Sequence, residues 1–92
     1  MSWTVVFSKK AKKQIQSLPE SVLLKLVALE SEIQILGPIR GNWKNYSKLS
    51  ESQHHCHLKS GRPTYVVCWE VLDQKIRIVE VYYAGTHEKS PY

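Results

Sequence analysis

No apolar run reaches the roughly 18 residues that a membrane-spanning helix needs, so membrane insertion through a helix is excluded. Met1-Ser2-Trp3-Thr4 leads straight into an alternating stretch without the apolar core of a signal peptide. The expected location is the cytoplasm. Cysteine is scarce: Cys56 and Cys68 are the only two, without C-x-x-C spacing, and in that compartment they read as reduced, partly buried thiols. There is no glycine-rich phosphate loop, no G-x-S-x-G, no pair of carboxylates at catalytic spacing and no cofactor fingerprint. No cofactor is therefore expected. Repeats, low-complexity segments and linkers are also missing, so residues 1–92 form one domain. Acidic residues are outnumbered, 8 against 13 lysines and arginines, for a net charge of +5. Such a balance favours a polyanionic partner: RNA, DNA or an acidic protein.

What is present reads as helices followed by strands. Residues 3–7 alternate as a first strand. Ser8 is a helix N-cap, and a short helix over 9–18 carries Ala11, Ile15 and Leu18 on one side and Lys9, Lys10, Lys12 and Lys13 on the other. Pro19 ends it. Val22, Leu23, Leu26, Val27, Leu29, Ile33 and Leu36 give residues 20–36 the spacing of an amphipathic helix, stopped by Gly37-Pro38. With only Pro19 between them, the helices form an antiparallel hairpin. Residues 39–53 are a polar connector in which Arg40, Lys44 and Lys48 alternate with Trp43 and Tyr46. Strands follow at 55–59, 64–72 and 75–83, separated by the turns 60–63 and Asp73-Gln74. The order β-α-α-β-β-β predicts an α+β fold, a helical hairpin on a twisted antiparallel sheet.

His54-His55-Cys56-His57 suggests a metal, but alternate strand residues face opposite ways, so at most two of the four share one ion. Cys68, if it falls across from Cys56, adds a third ligand or a disulfide partner. Neither reading has the ligand pairing of a zinc site, and ordinary strand residues account for the run, so no metal is expected. His57 and Lys59 share a face by the period of two, and Arg62 lies in the next turn. A histidine beside two cations suits a phosphate; a solvated hairpin tip has the same composition. After the last strand come Gly85-Thr86-His87-Glu88-Lys89-Ser90-Pro91-Tyr92, a polar tail with a proton-trading histidine and an aromatic. Trp43 and Tyr46 either anchor the connector or stack on bases; Trp69, between Val67 and Val71, is core. Glu70 and Glu80 lie on strands and are candidates to orient a histidine, and nothing in the sequence selects either.

The lysine-rich first helix, Gly41-Asn42-Trp43-Lys44-Asn45-Tyr46, His57-Leu58, the run Tyr65-Val66-Val67-Cys68-Trp69-Glu70-Val71, Asp73 and the closing Gly85-Thr86-His87 together resemble one family. It is the RelE/ParE superfamily of toxins from type II toxin–antitoxin modules, and the connector, the His-Leu pair and the Gly-Thr-His ending are most similar to its YafQ and RelE branches. The resemblance implies a RelE-like fold, a cognate antitoxin as partner, and endonuclease action on mRNA at the ribosome. It implies His57 and His87 as active-site histidines and Tyr92 as the aromatic that stacks on a base or assists catalysis. Lys59 and Arg62 are then the cations for the phosphate, and Lys44, Lys48, Arg77, Thr86 and Lys89 candidate RNA contacts. Basic positions of many relatives fall on Val66 and near Tyr83, leaving Arg62, Lys59 or Arg77 to substitute, or a weak activity. The ParE branch offers the alternative of a non-enzymatic gyrase inhibitor; a degenerate toxin that only binds antitoxin is the other.

Overall fold

The structure, a computed structural model, describes residues 2–92. Its elements are β1 (Thr4–Phe7), α1 (Lys9–Ile15), α2 (Glu20–Leu36), β2 (Ser47–Lys48), β3 (Gln53–Lys59), β4 (Tyr65–Asp73) and β5 (Ile78–Thr86), followed by a 3₁₀ turn at His87–Lys89. The strands form one sheet in the order β1-β5-β4-β3-β2. The α+β class and the succession of helices and main strands agree with the sequence pattern. The sheet, however, is mixed and not antiparallel throughout: β1 runs parallel to β5, with Thr4 beside Ile78 and Phe7 beside Val81. Consecutive strands joined by tight turns must be antiparallel. β1 meets β5 from the far end of the sequence, where no turn dictates direction. The connector, expected to be free of strand, contributes the two-residue β2.

Ser8 caps α1 by accepting a hydrogen bond from the Ala11 amide at 3.0 Å. The helix stops at Ile15, short of Leu18, and its end tightens into i→i−3 bonds from Ser17 to Gln14 and from Leu18 to Ile15. The residue before a proline avoids helical geometry, which explains the early stop. In α2, Val22, Leu26, Leu29 and Ile33 are buried. Val27 and Leu36, expected in the buried stripe, are exposed, as are Leu24 and Ile35. Gly37 closes the helix with φ +96°, and a Cβ there would stand 3.2 Å from Trp3 Nε1; only glycine suits both.

Alternation along the strands sorts the two faces. Cys56, Leu58, Val67, Trp69, Val79, Val81 and Ala84 join the helix residues in the main core. Val66, Cys68 and Tyr83 form a smaller cluster with Leu49 and Tyr82, in which no helix residue takes part. The second face is left for the site. Cys56 and Cys68 are free thiols on different faces: Cys56 lies beside Val67, and Cys68 beside His55.

At the β4–β5 turn the Asp73 carboxylate accepts from the Lys75 and Ile76 amides at 2.9 and 3.0 Å. Arg77 then takes φ +58°. The turn therefore consumes residues up to Arg77, and β5 begins three residues later than the alternating pattern suggested. It also runs further: Gly85 and Thr86 pair with Val66 and Tyr65 as strand residues, not as tail.

The connector is pinned to α2 by one carboxylate oxygen. Glu32 Oε1 accepts from Arg40 Nη1 at 3.2 Å, Asn42 Nδ2 at 2.9 Å and Trp43 Nε1 at 3.0 Å. The donors, Asn42 first, hold its pKa below the ordinary carboxylate value. Because the folded value is depressed, this contribution is present above the unfolded pKa and is lost as pH falls through the folded one. Glu32→Gln at neutral pH should cost about 1–3 kcal/mol, the usual worth of hydrogen bonds to a charged group. Urea denaturation of the two proteins at pH 7 measures it; equal midpoints would show the carboxylate to be idle.

Candidate active site on the open face of the sheet

Four rings meet on the face that the helices leave open. The His57 and His87 centroids are 5.7 Å apart. His87 and Tyr92 follow at 5.8 Å, edge to face. Tyr92 lies 4.4 Å from His55, and His55 lies 6.0 Å from His57, closing the circuit.

Each ring is placed by a different element. His55 and His57 sit two apart on β3, so both point away from the helices. The His57 amide donates to the Lys44 carbonyl at 2.8 Å. Its ring Nδ1 accepts from Asn45 Nδ2 at 3.2 Å. Asn45 holds φ +53°, a left-handed conformation that asparagine tolerates better than most residues. His87 opens the 3₁₀ turn just past β5, its amide donating to the Thr64 carbonyl at 2.8 Å. Ser90 closes the turn onto the His87 carbonyl through its amide at 3.1 Å and its hydroxyl at 2.8 Å. That reversal brings Tyr92 back over β3.

Burial, followed by the charges of His55, His87 and Lys44, depresses the His57 pKa below its ordinary value. His55 is depressed as well, by burial first, with the Ser47 carbonyl working against it. Burial raises the Tyr92 phenol above 10. At neutral pH the pocket thus holds neutral imidazoles on β3 and a neutral phenol.

Two shallow hollows flank the rings. One, of about 420 Å³, is lined by Lys44, His57 and Lys59. The other, of about 490 Å³, is lined by Arg62, Thr86 and His87. The His57–His87 pair thus has lysines in the hollow on one side and Arg62 in the hollow on the other, and each hollow also holds a carboxylate, Glu32 in the first and Glu88 in the second. A register shift between His57 and Lys59 breaks the strict period of two there, yet both side chains reach the first hollow.

The structure thus gathers His57, His87, Tyr92, Lys59, Arg62, Lys44 and Thr86. It does not gather Lys48, Arg77 or Lys89. Lys48 lines a separate hollow with His54. Arg77 lies at the opposite end of β5, its guanidinium 6.0 Å from the Trp3 ring, so it is not a substitute cation for the site. Lys89 faces α1, in a groove with Lys10 and Gln14. Val66 and Tyr83, where the resemblance would put cations, are 0% and 3% exposed and packed on Cys68. A charge in either place would be buried.

His54 belongs elsewhere: its ring stacks on Trp69 at 5.7 Å and 7°, and its Nδ1 lies 2.7 Å from the Tyr46 hydroxyl. Trp69, Trp43 and Tyr46 all pack in or against the main core. Glu70 accepts from Ser52 at 3.3 Å. Among the described residues, no group of three or more histidine, cysteine or acidic side chains is arranged to hold a metal ion. Two contributors escaped the sequence, His55 and Asn45. The period of two from His57 was the available signal for His55; Asn45 stood inside the connector segment that carries the resemblance, with no role of its own.

No protein-family model and no curated protein matches the chain. Solved structures do. A free-state Escherichia coli toxin RelE carrying two arginine-to-alanine changes is 23% identical over 98% of this chain and 88% of its own, with a TM-score of 0.73. The archaeal RelE–RelB complex from Pyrococcus horikoshii is 15% identical over 98% and 100%, at 0.70. The RelBE2 toxin–antitoxin complex of Mycobacterium tuberculosis is 18% identical over 94% and 99%, at 0.60. At such identities the likeness is one of architecture, and it covers nearly the whole molecule: the chain has the fold of the RelE toxins.

Proposed function

We propose that the protein is the toxin of a type II toxin–antitoxin pair and that it cuts mRNA on the ribosome. The observation that carries the reading is the His57–His87 pair, 5.7 Å apart, with Lys44 and Lys59 in the hollow on one side and Arg62 in the hollow on the other. RNA brings its own nucleophile, the 2′-hydroxyl, so the protein needs only to manage protons and charge. One histidine takes the 2′-hydroxyl proton as that oxygen attacks phosphorus. The other gives a proton to the 5′-oxygen as its bond to phosphorus breaks. The products are a 2′,3′-cyclic phosphate and a 5′-hydroxyl. Lys44, Lys59 and Arg62 stabilise the charge gathering on the phosphoryl oxygens, and Tyr92 offers a face to a base. The YafQ-like and RelE-like motifs in the connector and at Gly85-Thr86-His87 support the ribosomal substrate.

An antitoxin partner follows from the same reading, since the solved complexes pair RelE with RelB. The exposed apolar residues of α2, Leu24, Val27 and Ile35, together with the net positive charge of the chain, suit a segment both apolar and acidic. The buried, uncharged Val66 and Tyr83 favour one second reading, a non-enzymatic inhibitor of the ParE kind.

Expression of the chain alone in a bacterium, with mapping of mRNA 5′ ends, separates the two. Growth arrest with new 5′-hydroxyl ends inside reading frames is expected. Arrest with a DNA-damage response and intact mRNA would favour the gyrase reading. No arrest, with antitoxin binding retained, would leave a degenerate toxin.

A further inference from the structure

We infer that His55 is the residue that seats Tyr92 beside His87, which makes it a positioning residue of the site; its importance for cleavage rests on the function proposed above. The His55–Tyr92 contact, 4.4 Å between centroids, is the closest in the circuit, the others being 5.7, 5.8 and 6.0 Å. Its two members are unequally held. His55 is 7% exposed and Tyr92 44%, so the imidazole is the fixed surface and the phenol the group placed on it. His55 is fixed from several sides. Its backbone sits between β2 and β4, facing Ser47 and Cys68. Its Nδ1 lies 3.1 Å from Ser47 Oγ and 3.3 Å from the Ser47 carbonyl. The carbonyl can only accept, so Nδ1 carries the hydrogen and the ring plane is set.

The rest of the terminal segment does only part of this job. Ser90 bonds back to the His87 carbonyl, and the His87 amide bonds to Thr64. Those bonds shape the turn and root it at the end of β5. A side-chain hydrogen bond between Ser90 and Tyr92 helps hold the phenol, and the contact with His55 supplies the buried surface on which its ring rests. The short β2 gains a role too: Ser47–Lys48 pairs only with His54 and His55, and Ser47 is what holds the His55 ring. An aromatic pair of this kind favours the seated arrangement by roughly two- to thirteenfold.

Two measurements test the inference. The first is the NMR spectrum of the free protein. In His55→Ala the Tyr92 ring protons should move toward random-coil shifts while the core methyl signals stay put, and His55→Phe should bring them back. Unchanged Tyr92 shifts in His55→Ala would overturn the inference. If that variant does not fold, His55→Gln, polar but without a ring, replaces it. The second is a double-mutant cycle on ribosome-dependent cleavage. His55→Ala should lower kcat up to roughly tenfold and should add nothing in a Tyr92→Ala background. Losses that multiply would mean that His55 acts on its own, and the positioning role would fall. Should the native protein cut no RNA, the proposed function fails, and the NMR result still decides whether His55 seats Tyr92.

Discussion

Alanine at His87 should slow mRNA cleavage on translating ribosomes by roughly 10²–10⁴-fold, the usual worth of a positioned acid or base. Alanine at His57 should cost a similar factor. The double variant should lose little beyond either single one, because two groups that share one proton inventory do not contribute additively. A His87→Ala protein that cuts at the native rate would sink the assignment. The pH dependence adds a check that a merely structural histidine would not move. Burial and neighbouring positive groups hold the His57 pKa below 6.5, so the limb of the rate profile that belongs to His57 lies on the acid side of that value. Asn45 now donates to Nδ1, a bond that only the neutral ring accepts. Asn45→Asp would set a carboxylate against the same nitrogen and favour the imidazolium. The His57 limb should then move to higher pH, while the Tyr92 ring stays where it is. A profile identical to the native one would show that His57 does not titrate in the reaction.

The two helices and the central strands were legible because their signals are local. Ser8 is a cap by its chemistry, Val22, Leu26, Leu29 and Ile33 mark a stripe by their spacing, and Trp69 stands in a β-branched run. What local signals could not carry was the meeting of distant segments. The parallel β1–β5 pair joins the two ends of the chain. The late start of β5 depends on an aspartate side chain that occupies the turn. At the site, His57, His87 and Tyr92 were legible only through the resemblance of short segments, His57-Leu58 and Gly85-Thr86-His87 with the aromatic that follows. Lys48, Arg77 and Lys89 offer only their charge, and charge has no period that says which face a residue takes; none of the three lines the hollows beside His57 and His87. The histidine run shows the same limit. Alternation divides His54 from His55 and His57, but only the packing of the helices says which side is the core.

That division has a measurable consequence for folding. His54 is 2% exposed, between Tyr46 and Trp69, and burial drives its pKa from 6.5 down to about 4, with Lys48 adding to the shift. The unfolded chain takes up this proton below pH 6.5, the folded one only below about 4. Between those values the unfolded state binds more protons, so stability falls as the pH is lowered. Above 6.5 both states are neutral and His54 costs nothing. At about 1.4 kcal/mol per pH unit, the full loss is about 3 kcal/mol, reached near pH 4. For a domain of this size that is a large share of a total of roughly 5–15 kcal/mol. The paired substitution His54→Phe with Tyr46→Phe keeps two stacked rings and leaves no hydroxyl without its partner. Denaturation midpoints of the native and doubly substituted proteins should diverge as pH is lowered from 7 to 4, the native protein losing ground throughout. His55, His57 and Glu32 titrate in both and cancel in the difference. Parallel curves over that range would mean that His54 takes its proton without leaving the core, and that water reaches the stack of Tyr46, His54 and Trp69.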